Sequence, residues 1–489
     1  MNKAIVMGSG FGGLASAVRL IKKGYDVTLL EARDQLGGRA SVFKKDGYTF
    51  DAGPTVITAP YLLYELFEML EEDHSNYFEL LPIDPFYRII FNDGSSFDYV
   101  GDEERIIENI RELSPQDLDG YRKLARHASE IFDVGYTKLA NEPFEDFSSM
   151  LRVAPDMIRL QNYRTVYSLV SKYIKDERLR RAFSFEPLLV GGNPISITSI
   201  YLLIHYLERK WGVHYVKGGT NALVSAFEKL LIKKGADIRL NESVNRIDIE
   251  HGKVKRVHTE GGSVYDCDIL VSNADPVRVY RDMIDERHRS KHSNWRLKLK
   301  SQSMSLFVAY FGTKKIYPDL AHHTVLMGPR YKGLLNDIFN RKVLADDFSL
   351  YLHAPTRTDK SMAPEGHECF YVLSPVPNNR SKINWKDEGE RYKNKIYKWL
   401  DQHHLPGLMD NLVVDFHIDP NYFEQDLQSE AGAAFGIEPS FRQSAYFRFH
   451  NRSEDVDGLY FVGANTHPGA GVPGVLNSAK VIDKLVPSL

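Results

Sequence analysis

Residues 3–13 read Lys-Ala-Ile-Val-Met-Gly-Ser-Gly-Phe-Gly-Gly, and residues 27–39 read Val-Thr-Leu-Leu-Glu-Ala-Arg-Asp-Gln-Leu-Gly-Gly-Arg. Ala4 to Met7 is a short apolar run suited to a buried parallel strand. Gly8 allows a tight turn, Gly10 lets the backbone approach a pyrophosphate, and Gly13 lets the next helix lie close on the strand. Leu14, Ala17, Val18 and Ile21 recur at helical spacing, and Gly24 stands where such a helix is capped. Val27 to Leu30 predicts a second strand. Glu31 follows about 20 residues beyond the glycines, placed to accept from ribose hydroxyls. An acid there disfavours a 2′-phosphate, hence NADP. The order predicts a dinucleotide site with its diphosphate on a helix N-terminus.

The rest of the composition narrows the class. A chain of 489 residues exceeds one ordinary core, so two or three structural regions are expected. Hydrophobic content of 43% supports globular folding, and a net charge of −3 gives no pull toward nucleic acid. The two cysteines, Cys267 and Cys369, imply no disulfide framework and favour a reducing, cytoplasmic compartment. The first strand begins within three residues of the N-terminus, so no signal peptide is expected. No run of about 18 apolar residues occurs, so membrane contact is expected to be peripheral. The 17 histidines contain no HExxH or Cys/His ligand spacing, so no metal is expected. No Ser/His/Asp triad is assignable from spacing.

Further along, Gly47 to Thr58 reads as a strand entering a backbone-tight loop, and residues 84–99 as strands joined by an Asn92-Asp93-Gly94 turn. From about Asp102 to Lys210 the pattern is helical, with breaks expected near Pro115, Pro155 and Pro194. A Gly218-Gly219 turn precedes a helix near Asn221 to Lys234 and several short strands up to Ser272. Residues from about 300 to 450 alternate strands and helices. Gly458 to Gly463 predicts a last strand, and a final helix is expected from about Gly474. Strand and helix returning after a long insertion suggest a nucleotide domain interrupted by another.

Those blocks resemble one family. The N-terminal block is similar to the flavoproteins that include amine oxidases and carotenoid desaturases, and the narrower resemblance is to bacterial phytoene desaturases. It rests on Phe50-Asp-Ala-Gly-Pro-Thr-Val-Ile-Thr58, Asp84-Pro-Phe-Tyr-Arg88, Pro187-Leu-Leu-Val-Gly-Gly-Asn-Pro194, Ser199-Ile-Tyr, Glu208-Arg-Lys-Trp-Gly212, Ser272-Asn-Ala-Asp-Pro276, His450-Asn-Arg, and Gly463 through Leu476. It covers residues 3 to about 480. The resemblance implies an α/β fold: a Rossmann-like FAD-binding domain of amine oxidase/carotenoid desaturase type, an inserted α+β substrate domain, and a helical membrane-associated region. The expected division is 1–80, 215–285 and 455–489 for FAD, 81–101 and 286–454 for substrate, and 102–214 for the helical region.

It also implies non-covalent FAD rather than NAD. Gly8, Gly10, Phe11, Gly12, Gly13, Glu31 and Ala32 would hold the dinucleotide. Gly37, Gly38 and Arg39 would meet the pyrophosphate and ribityl chain, Pro54 and Thr55 the flavin, and Val244 the adenine. Gly463, Ala464, Val472, Pro473, Gly474 and Val475 would meet the ribityl chain and the isoalloxazine ring. Two departures stand out: Asn465 where relatives commonly show glycine, and Glu186 where they often carry His or Gln.

The implied activity is desaturation of phytoene or a related carotene, with a quinone or oxygen as electron acceptor. A 3,4-desaturase, ketolase or carotene isomerase is the near alternative, and a non-catalytic prenyl-protein escort the distant one. Desaturation needs an apolar tunnel, a hydride acceptor and a proton route. Glu186 is the candidate acid or base. Between 157 and 181, Met157, Leu160, Tyr163, Tyr167, Val170 and Ile174 recur at helical spacing among Arg159, Arg164, Lys172, Lys175, Arg178 and Arg181. That pattern predicts a basic amphipathic helix on an anionic membrane surface. Arg287 to Lys300 is a second candidate surface.

Overall fold

Lys3–Met7, the helix Phe11–Lys22 and Asp26–Leu30 fold as strand, helix and strand in the computed structural model, which describes residues 2–489. The two strands pair in parallel, Ala4 opposite Val27 and Met7 opposite Leu30. They sit inside a five-stranded parallel sheet whose order is Leu459–Phe461, Ile269–Ser272, Lys3–Met7, Asp26–Leu30, Asp237–Arg239. Both faces are covered. Ala4, Val6, Leu29 and Val271 pack into one core, and Ile5, Met7, Leu30 and Leu270 into another. That is why these strands read as unbroken apolar runs instead of alternating ones. A three-stranded antiparallel ribbon, Val244–Glu250, Lys253–Thr259 and Val264–Asp266, stands beside it.

A second sheet has seven strands in the order Leu412–Ile418, Ser305–Thr313, Glu368–Val376, Leu350–His353, His323–Leu326, Tyr87–Ile90, Ser96–Tyr99. All its pairings are antiparallel except His323–Leu326 with Tyr87–Ile90. The helix Trp385–His403 covers one face, packing Trp385, Tyr392 and Ile396 on Phe307, Phe311 and Phe370. The other face is turned to the large cavity described below. The Asn92-Asp93-Gly94 turn forms as expected, with Gly94 at φ +83°.

The helical segment departs from the sequence expectations. Leu160, Val170 and Ile174 are fully buried and Tyr167 nearly so, all within one core. No single helix spans them: Phe147–Arg159, Val166–Tyr173 and Glu177–Ala182 are separate. Apart from exposed Tyr163, the apolar stripe therefore faces protein, and the expected basic membrane helix over 157–181 is not formed as one helix. Phe147–Arg159 also runs through Pro155 instead of breaking there. That helix lies on the surface with only Ser149 buried, so water can reach the carbonyl that Pro155 leaves without a donor. The last helix begins at Val472, two residues before the expected Gly474, because Pro473 suits a first turn. No helix among the described residues is long and apolar enough to cross a membrane.

Candidate functional site

The glycine turn of the first strand and the N-terminus of the last helix meet at one place. Gly8 has φ +92°, and Gly463 and Gly471 have φ +97° and +93°, which only glycine adopts without strain. A side chain at Gly13 would put its Cβ 2.0 Å from the Gly8 carbonyl oxygen, so this glycine sets helix-to-strand packing. Asn273 explains two others. Its carboxamide would lie 2.7 Å from a Cβ at Gly10 and 2.6 Å from one at Gly12. The sequence reading quoted Asn273 within a motif without giving it a role; only the return of Ile269–Ser272 beside the first strand brings it here. Gly53 is tighter still, since its Cβ would fall 1.7 Å from the Arg39 carbonyl oxygen.

Polar groups converge on the cleft. Glu31 is nearly buried at the end of its strand, accepting from the Ser9 N–H at 2.9 Å and the Arg33 N–H at 3.0 Å. Arg39 donates to the Ala434 carbonyl at 2.7 Å and to the Ser429 hydroxyl at 2.9 Å. The first-turn N–H groups of Phe11–Lys22 and Val472–Leu485 have no acceptor within their own helices and open on the same space. Asn465, one of the two departures, accepts from the Ile437 N–H at 2.6 Å, and the space it fills requires Gly436 to be bare.

A single cavity of about 550 Å³ joins these groups. Gly8, Gly10, Phe11, Gly12, Glu31, Ala32, Gly37, Gly38, Arg39, Pro54, Thr55, Val244, Gly463, Ala464, Val472, Pro473, Gly474 and Val475 all line it; of the expected cofactor residues, only Gly13 does not. Its polar end lies among the glycines, Glu31 and Glu242. The far end is walled by Leu188, Leu189, Leu203, Ile204 and Leu207 from the helical segment and by Met304, Leu306, Val308 and Val325 from the seven-stranded sheet. Two N-terminal dipoles, an acid for hydroxyls and glycines that admit close approach fit a long anionic dinucleotide. The apolar end fits a ligand without charge.

Glu186 is not on that wall. It is fully buried behind Phe185 and Leu188, with the Tyr99 hydroxyl donating to its Oε1 and His205 Nδ1 3.8 Å away. Glu186, the candidate acid or base, is thus buried behind the lining and not part of it. Glu208, also buried, does line the cavity, and the Tyr87 hydroxyl donates to its Oε1 at 2.7 Å. Burial pushes the Glu186 carboxyl up to about 8 and Glu208 well above the usual carboxylate range, while it drives His205 down to about 3.

Sheet register adds a feature that no motif announced. Tyr99 stands opposite Tyr87, His323 opposite His353, His353 opposite Tyr371, and Tyr371 opposite Tyr310. The rings of Tyr87 and His323 bridge the remaining gap at 5.8 Å. A row of hydroxyls and imidazoles thus crosses the cavity-facing side of the sheet. His322 joins it, so that His322, His323 and His353 place ring nitrogens within 4.8 Å of one another.

A family description, flavin containing amine oxidoreductase, matches residues 11–481. The chain is 47% identical over 481 residues to a lycopene-forming phytoene desaturase of Pantoea ananas, covering 98% of each. It is 41% identical over 493 residues to a neurosporene-forming phytoene desaturase of Rhodobacter capsulatus, covering 100% of this chain and 94% of that one. Among solved structures, an oxidoreductase from Methanosarcina mazei matches with TM-score 0.65 and 16% identity over 99% of this chain and all of that one. Putrescine oxidase bound to putrescine matches with TM-score 0.65 and 14% identity over 99% and 98%. At such identities the last two speak for the fold alone.

Proposed function

The chain belongs to the flavin-containing amine oxidoreductase family, and from that premise we propose that it is an FAD-dependent desaturase of phytoene or a related carotene. The observation that carries this reading is one cavity whose wall joins glycine turns, Glu31 and two helix N-termini to a set of leucines, methionines and valines. Bound FAD would supply a two-electron acceptor between the two ends. Non-covalent binding is supported by the wall, which contains no cysteine or histidine, and both cysteines are buried away from it.

The chain's own residues do the rest. Glu31 and the two helix N-termini would orient the dinucleotide. The leucines and methionines of the far end would exclude water and align the polyene. In this reading 1–80, 215–285 and 455–489 form the cofactor domain, 81–101 and 286–454 the substrate domain, and 102–214 the helical cover. Glu186 acts indirectly, as a positioning residue beneath Glu208 rather than as a group touching substrate.

Substrate dissolved in lipid calls for a docking surface, and a different helix face supports one. On Phe147–Arg159, Phe147, Leu151 and Ile158 share a side and are 51%, 62% and 68% exposed, with Arg152 and Arg159 beside them. Tyr163, 71% exposed, extends the patch. We assign peripheral membrane contact to that face, with a quinone or oxygen as the final electron acceptor. Reconstitution with FAD in phytoene-loaded liposomes tests the whole reading. Bleaching of the flavin and coloured polyenes are expected; neither appearing with FAD demonstrably bound would remove phytoene as substrate.

A further inference from the structure

Removing two hydrogens from adjacent saturated carbons releases one as hydride and the other as a proton. The leucines and methionines of the cavity wall cannot hold that proton. Among the polar groups that reach the wall are two buried assemblies. The carboxyl pair Glu186 and Glu208 already keeps its protons, because burial raises both. The other assembly begins at Tyr351 and Tyr371, whose side chains line the cavity beside Thr55. Thr55 Oγ1 lies 2.7 Å from the Tyr371 hydroxyl and 3.3 Å from that of Tyr351. The Tyr351 hydroxyl lies 2.6 Å from His323 Nδ1, which is fully buried behind it.

Behind Tyr351 the imidazoles form a closed group. His323 stacks on His353 with ring centres 5.4 Å apart, and His322 stands 4.5 Å from His323 and 4.8 Å from His353. Nε2 of His322 and His323 and both nitrogens of His353 lack hydrogen-bond partners. With Nδ1 of His323 accepting from Tyr351, its Nε2 carries an N–H without an acceptor, and buried unpaired groups of this kind are costly. Asp51 stands beside the group, its Oδ2 3.9 Å from His353 Nε2, and accepts from Tyr215 at 3.1 Å and from the Thr220 N–H at 2.7 Å. Burial disfavours the cationic form of His322, His323 and His353, so a proton held there is held only transiently. His322 Nδ1 lies 2.6 Å from the hydroxyl of half-buried Thr358.

We propose that Tyr351 takes the proton lost by the substrate and hands its own phenolic proton to His323 Nδ1, at the edge of the His322–His323–His353 group. The inference rests on the desaturase reading. With bound FAD supplying the hydride acceptor, the electron pair of the C–H bond next to the departing hydride would become the new π bond. The released proton goes to the Tyr351 oxygen while the phenolic proton moves to His323 Nδ1. Tyrosine is unchanged, and the proton rests on the His323 imidazole, which becomes cationic until the proton returns through Tyr351. The quinone or oxygen that reoxidises the flavin closes the electron balance.

The test uses FAD-loaded protein with phytoene liposomes under anaerobic conditions. Wild type is expected to bleach in one turnover with a solvent isotope effect. Tyr351→Phe is expected to bleach about 100-fold more slowly at equal flavin content, with the solvent effect lost. His323→Gln keeps an acceptor for Tyr351 but cannot hold a proton, and a similar loss is expected. In cofactor-free protein, the 15N signal of His323 Nδ1 is expected to show a hydroxyl donor in wild type and none in Tyr351→Phe. Wild-type bleaching in both variants would overturn the relay while the desaturase reading stands; failure of wild type itself to bleach overturns that reading. A stoichiometric metal ion in purified holoenzyme, lost in His353→Ala, would make the cluster a metal site and likewise overturn the relay.

Discussion

Glu186 is fully buried and only Tyr99 donates to it; its Oε2 has no hydrogen-bond partner. Ionising it there costs free energy that protonation avoids, so the folded protein holds its proton up to about pH 8, whereas the unfolded chain releases it near 4.5. Across that window the folded state binds the extra proton, and stability falls as pH rises through it. Glutamine has the same shape and no proton to lose. We therefore expect Glu186→Gln to gain melting temperature over wild type as pH goes from about 4.5 to 8, by an amount corresponding to a few kcal/mol. His205, driven down to about 3, gives the opposite slope below its ordinary range, but it is present in both proteins and cancels in the difference. A pH series of melting curves checks this. Parallel curves would mean that Glu186 is ionised in the fold. Flavin content should be equal in both, since Glu186 lies outside the cavity wall. Turnover should fall by much less than in the Tyr351 variant.

Elements were readable from sequence where local pattern and burial agree. Lys3–Met7, Phe11–Lys22 and Asp26–Leu30 follow from apolar runs and glycine positions because each residue's neighbours in sequence are its constraints. The segment 157–181 misled for a physical reason: a stripe at helical spacing records that one side is apolar, not whether protein or lipid covers it. Here Val170 and Ile174 meet other helices, and the uncovered apolar side belongs to Phe147–Arg159. On that helix, burying two exposed aliphatic side chains in lipid is worth about 1.5–3 kcal/mol each. Leu151→Glu with Ile158→Glu should reduce co-sedimentation with anionic liposomes on the order of tenfold or more, at unchanged melting temperature and flavin content. Changing Arg164 and Lys172 to Glu should matter less, since both side chains are engaged with Gln161. The reverse ranking would return the docking surface to the earlier position.

At the scale of the molecule, the cofactor cleft is assembled from parts that share no local signal. Gly10 and Gly12 come from the first strand turn, Asn273 from the fourth parallel strand, and Gly463 from the chain's end, yet they touch one another. The cross-sheet row of tyrosines and histidines is equally global. It depends on pairing His323 with His353 and His353 with Tyr371, register that four-residue strands do not announce by pattern. Three separated segments held around one ligand imply that the ligand contributes to holding them. Deflavination should therefore lower the melting temperature, and added FAD should restore it in proportion to the logarithm of its concentration. At a hundred times the dissociation constant the gain is about 2.7 kcal/mol, a shift of a few degrees. Gly10→Ala supplies the control, because its Cβ would lie 2.7 Å from Asn273 Nδ2 and narrow the approach to the diphosphate. That variant should melt near apo wild type and respond weakly to FAD. A holo protein that melts where the apo protein does, with FAD bound throughout, would show that the three segments hold together without it.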